Sequence, residues 1–70
     1  MITYRRLWET MKNKGISTYH LRYKENIGGG TIQRLKKDEI VSTSTLNSLC
    51  KILKCDLFDI IEYIEIEDEE

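Results

Sequence analysis

Seventy residues allow one small domain, whose pockets will be shallow. That argues against a self-contained enzyme with a deep active site. Hydrophobic residues make up 40% and charged residues 33%, a soluble globular mix. No apolar run approaches the ~20 residues of a membrane span, and the N-terminus lacks a signal-peptide core. The reading expects no membrane association and a cytoplasmic location. The net charge of −1 hides a split. All eleven basic residues lie between Arg5 and Lys54, against six acids over residues 1–61, which leaves that body at +5. The other six acids fall in residues 62–70. A basic body points to a polyanion partner, and an acidic tail to another job.

The absence of proline leaves glycine and capping residues to punctuate the chain. Thr3 is the expected cap of a first helix carrying Tyr4, Leu7, Trp8 and Met11 as its apolar stripe. Gly15, after Lys12 and Lys14, suits a left-handed stop. Ser17 caps a second helix from about Thr18 to Glu25, with Asn26 as a positive-φ turn and Ile27 plugging inward. Gly28, Gly29 and Gly30 lead into a third helix over residues 29–37, with Ile32 and Leu35 apolar and Gln33, Arg34, Lys36 and Lys37 pointing away. Ser42 caps a fourth helix striped by Leu46, Leu49, Cys50 and Leu53. Asp56, with Asp59 three residues on, opens an expected fifth helix striped by Leu57, Ile60, Ile61 and Ile64. The alternation Ile64-Glu65-Ile66-Glu67 is too short to define a strand, and fraying is expected there.

These elements predict an all-α, compact five-helix domain over residues 1–64, followed by an acidic tail at 65–70. The expected core is Leu7, Trp8, Met11, Leu21, Ile27, Ile32, Leu35, Leu46, Leu49, Leu53, Leu57 and Ile60, with Trp8 the largest buried side chain. Cys50 and Cys55 match no zinc-finger spacing and read as reduced thiols. His20 has no paired acid or nucleophile in the sequence and reads as a helix-surface residue. No catalytic set, metal site, cofactor motif or small-molecule ligand site emerges.

The stretch from Ser17 to Lys37 has the layout of a helix-turn-helix: Leu21 inside the first helix, Asn26 at the turn, Ile27 as plug, then Ile32 and Leu35. The chain resembles the lambda-repressor-like, Cro/CI-type family of bacterial and phage DNA-binding domains. The resemblance covers about residues 2–64. It rests on Tyr4-Arg5-Arg6-Leu7-Trp8, Lys14-Gly15-Ile16-Ser17 and Gly30-Thr31-Ile32-Gln33-Arg34-Leu35. The later Val41-Ser42-Thr43, Leu49-Cys50-Lys51-Ile52-Leu53 and Asp59-Ile60-Ile61-Glu62-Tyr63 carry it equally.

The resemblance implies double-stranded DNA as partner and transcription regulation as function. The third helix is then the recognition helix. Base contacts would fall on Gly29, Gly30, Thr31, Gln33 and Arg34. Backbone contacts would come from Ser17, Thr18, Tyr19, Gly28, Lys36, Lys37, Ser42 and Thr43. Three glycines depart from the family pattern, because they have no side chain to read a base edge. They either let backbone approach DNA closely or make a frayed helix start. Arg22 stands where a small residue is usual, and Asn26 where glycine is usual. The resemblance also implies a homodimer, for which Ile52, Phe58, Tyr63 and Ile66 are candidates. The other reading is a protein-interaction module that keeps the fold and binds DNA weakly or without sequence preference.

Overall fold

The computed structural model describes residues 1–66. Residues 67–70, most of the expected acidic tail, lie outside the described part. The elements are β1 (Ile2–Thr3), α1 (Arg5–Lys14), α2 (Thr18–Tyr23), α3 (Gly29–Lys36), α4 (Thr43–Leu53), a 3-10 turn (Leu57–Asp59) and β2 (Glu62–Tyr63). Among the described residues, four α-helices and a strand pair thus replace the five helices expected. No described helix is long and apolar enough to cross a membrane.

Helix α1 buries Leu7 and Met11, and its stop forms as the sequence suggests. Gly15 sits at φ 68°, where its N–H meets the Lys12 carbonyl at 3.2 Å. Ile16 N–H meets the Met11 carbonyl at 2.9 Å, which completes a Schellman stop. Its start differs from expectation. Tyr4, not Thr3, is the cap residue, and its side chain makes no capping bond. Thr3 belongs to β1 and is buried, and its hydroxyl oxygen finds no partner among the described residues. An unsatisfied buried hydroxyl is costly, and a β-branched apolar residue suits a strand. Thr3→Val should therefore raise stability by about 1 kcal/mol in urea unfolding. A loss of stability would show that the hydroxyl is satisfied after all.

The core consists of Tyr4, Leu7, Met11, Leu21, Ile27, Ile32, Leu35, Leu49, Leu53 and Ile60. Tyr4 is the buried aromatic, whereas Trp8 and Leu46 only pack against the core from its edge and Leu57 is exposed. Tyr4 is held from a distance. Its N–H donates to the Asp38 carboxylate at 2.9 Å, and its hydroxyl donates to the Glu39 carbonyl at 2.7 Å. Asp38 adopts φ 57°, and Glu39 N–H closes on the Arg34 carbonyl at 2.8 Å. The end of α3 and the start of α1 are therefore fastened together. Burial pushes the Tyr4 phenol pKa up.

The expected fifth helix stops after the single 3-10 turn. Asp56 N–H donates to the Asp59 carboxylate at 3.0 Å, as the capping-box spacing suggests. The helix does not continue, and side chains of α1 bind its last carbonyls. Arg6 donates to the Phe58 carbonyl at 2.9 Å, and the Thr10 hydroxyl donates to the Asp59 carbonyl at 2.7 Å. The chain instead extends and pairs antiparallel with β1, Ile2 opposite Tyr63 and Thr3 opposite Glu62. Ile64 N–H adds a bond to the Met1 carbonyl at 2.8 Å. The strand falls just before the Ile64–Glu67 alternation noted in the sequence. Arg5 pairs with Glu62 across this ribbon, and Arg6 lies 3.9 Å from the other Glu62 oxygen. The Arg5 guanidinium holds the Glu62 carboxyl below its usual range.

Candidate nucleic-acid interface

Helices α2 and α3 form the helix-turn-helix by the local rules read from the sequence. Ser17 Oγ accepts the His20 N–H at 3.1 Å and so caps α2. Asn26 takes φ 61°, and Ile27 N–H returns to the Leu21 carbonyl at 2.9 Å, so the plug enters the core. Leu21, Ile32 and Leu35 are buried between the helices. Burying Ile32 and Leu35 turns Gln33, Arg34, Lys36 and Lys37 outward, and all four are exposed. The helix ends one residue early, with Lys37 as its cap residue.

The glycine run does not delay the helix. Gly28 is the cap residue in extended backbone, α3 starts at Gly29, and Ile32 N–H bonds the Gly28 carbonyl at 3.0 Å. Gly28 and Gly30 are exposed, while Gly29 and Thr31 are half-buried.

Two shallow grooves flank α3. One, of about 250 Å³, runs between α2 and α3 and brings Thr18 and Tyr19 together with Gly29, Gln33 and Lys36. The other, of about 230 Å³, places Gly28 and Thr31 beside Ser44, Thr45 and Ser48 of α4. The structure thus gathers many expected contact residues around one helix. Ser17, Ser42 and Thr43 are exposed at the starts of α2 and α4. Ser42 is engaged as a cap, accepting the Thr45 N–H at 3.2 Å. Tyr19 packs on Tyr23 with ring centroids 4.7 Å apart and planes tilted by 43°, and both rings remain exposed.

Of the lysines and arginines, only Arg5 and Arg6 have a carboxylate partner among the described residues. Arg5 and Arg6 are tied to Glu62 at the ribbon. Among the described residues, no carboxylate pairs with Arg22, Arg34, Lys36 or Lys37. Arg22 also lines the first groove, a residue absent from the contact candidates the sequence suggests. The available signal was its size at a position where a small residue is usual, opposite a glycine where a side chain is usual.

The remaining candidates scatter. His20 lies at the helix surface as expected but does have an acid beside it, with its Nε2 3.1 Å from the Glu25 carboxylate. Cys50 and Cys55 are half-buried and free, and burial pushes the Cys55 thiol pKa up. Phe58, Tyr63 and Ile66 are exposed, with Phe58 72% accessible. Ile52 instead packs against the core and borders a groove with Asn26 and Ser48. Ile40, in the loop between α3 and α4, is the most exposed large apolar residue at 89%.

Comparison with known proteins agrees with this geometry. No curated protein matches the chain. Among solved structures, the crystal structure of the transcriptional regulator VanUg is similar, with a TM-score of 0.81 and 33% identity. The match covers 87% of this chain and 81% of that one. The family model of the Cro/C1-type helix-turn-helix DNA-binding domain matches residues 6–65. Its span takes in the turn at Asn26, the projecting α3 and the capped α4, and the chain belongs to the Cro/C1-type helix-turn-helix DNA-binding domain family.

Proposed function

We propose that this protein is a small transcriptional regulator that binds double-stranded DNA with sequence preference, inserting α3 into the major groove. The observation that carries the reading is the unpaired cationic face of α3, with Arg34, Lys36 and Lys37 exposed around a helix whose other face is buried. Arg34 can present two donors to guanine O6 and N7. Thr31 and Gln33 lie on the same helix, and the bare backbone at Gly29 and Gly30 permits close approach. Lys36 and Lys37 hold phosphates as point charges, and the hydroxyls of Ser17, Thr18, Tyr19, Ser42 and Thr43 at the starts of α2 and α4 donate hydrogen bonds to them. Gly28 adds backbone at the start of α3.

Selection from a random duplex pool, followed by gel shift at low and moderate salt, tests this. A consensus sequence supports the regulator. Binding that is only salt-sensitive and nonspecific would overturn it in favour of a protein-interaction module.

Half-site recognition calls for two copies. The exposed Phe58 and Tyr63 support a homodimer through the ribbon end of the domain. Phe58→Asp should weaken self-association without unfolding the chain, since the side chain is already in solvent. Sedimentation checks it. A wild-type monomer at high micromolar concentration, with and without the selected duplex, would remove the dimer from the account.

A further inference from the structure

The glycine run at the start of α3 takes no backbone that requires glycine. Gly28 sits at φ −62°, and Gly15 is the glycine with positive φ among the described residues. What the run provides is room. A Cβ added at Gly29 would lie 3.1 Å from both Cζ and Nη1 of Arg22 and 3.5 Å from its Nε. A Cβ added at Gly30 would come within 3.9 Å of Arg34 Nη1. One guanidinium from α2 and one from α3 therefore flank the same bare turn of helix. The Arg22 guanidinium also lies 5.3 Å from the centre of the Tyr23 ring, a cation–π distance, and Tyr23 is braced by Tyr19. Neither arginine has a carboxylate partner among the described residues.

We infer that Arg22 is a specificity-determining residue of the DNA interface, reading a guanine edge from α2 beside Arg34. This rests on the duplex-DNA reading above. The first turn of a recognition helix is where base edges are met, and here that turn has no side chains at residues 28, 29 and 30. Arg22 fills the gap from the neighbouring helix. Its planar fork offers paired donors that suit guanine O6 and N7, a geometry that lysine lacks. Gly29 is the counterpart of Arg22 in this arrangement: a Cβ there would push the guanidinium off its seat by a few tenths of an ångström.

The test uses the full chain as wild type, Arg22→Ala, Arg22→Lys, Gly29→Ala and Arg34→Ala. Each is put through random-duplex selection and titrated on the wild-type consensus and on a shuffled duplex. Arg22→Ala is expected to lose preference at one base pair that Arg34→Ala retains. Its affinity for the consensus should fall about 10- to 100-fold, with little change on the shuffled duplex. Arg22→Lys should lose the same preference, since charge alone does not restore the fork. Gly29→Ala should change preference at that same base pair while its thermal midpoint is not lowered. Equal losses on both duplexes for Arg22→Ala make the residue a phosphate contact and overturn the inference, as does an unchanged consensus. A wild type that selects no consensus overturns the parent reading and this one together.

Discussion

Tyr4→Ala is expected to destabilise the chain by about 3–5 kcal/mol, the range for removing a large buried aromatic. The ring is only 5% exposed and packs with Leu7, Met11 and Leu35 in one cluster. The substitution leaves a cavity and also removes the hydroxyl that binds the Glu39 carbonyl. The backbone bond from Tyr4 to Asp38 survives in alanine. A domain of this length holds roughly 3–10 kcal/mol in total, so the variant should be largely unfolded or close to it. Tyr4→Phe isolates the hydroxyl and should cost about 1 kcal/mol. Trp8→Ala should cost less than Tyr4→Ala because the indole sits at the edge of the core. Urea unfolding ranks the three variants, and a larger loss at Trp8 would reverse the assignment. The raised phenol pKa adds a pH signature. The folded value lies above the unfolded one, so this stabilisation is complete below about pH 10 and is lost as pH rises through the folded value.

Arg34→Ala should weaken binding to the selected duplex by about 1–3 kcal/mol and relax preference at one base pair. The side chain is exposed on α3, no described acid competes for it, and its guanidinium lies over the bare backbone at Gly30. Lys36→Ala should behave differently. A phosphate contact carries no base information, so its loss should weaken all sequences alike and lower the salt slope by about 1. Titrations of both variants on consensus and shuffled duplexes at several salt concentrations separate the two roles. Equal losses on every duplex for Arg34→Ala would remove it as a base reader.

Much of the fold was legible because it is written locally. Gly15 and Asn26 announce their turns, Ser17 and Ser42 their caps, and the i, i+3, i+4, i+7 spacing of Leu46, Leu49, Cys50 and Leu53 its helix. The parts missed depend on partners distant in sequence. Nothing near Asp56 signals that Arg6 and Thr10 will bind the Phe58 and Asp59 carbonyls, or that the chain will leave the helix there to pair with β1. Nothing near Tyr4 signals that Asp38 and Glu39 will bind it and make it, rather than Trp8, the buried aromatic. Lys54 takes positive φ although its side chain rarely does, so composition gave no warning there. The candidate site follows the same division. The outward face of α3 follows from periodicity, whereas the seat of Arg22 over Gly29 exists only once two helices are packed.

The ribbon has a kinetic consequence. Its outer bond joins Met1 to Ile64, 63 positions apart, so it cannot form until the helices have packed and brought both ends together. With only two residues in each strand, it adds little once formed. The two ends should therefore open as one unit, ahead of the core, and last to close in refolding. In hydrogen exchange, the Ile64 amide should lose protection well below the free energy that guards Leu35 and Leu49.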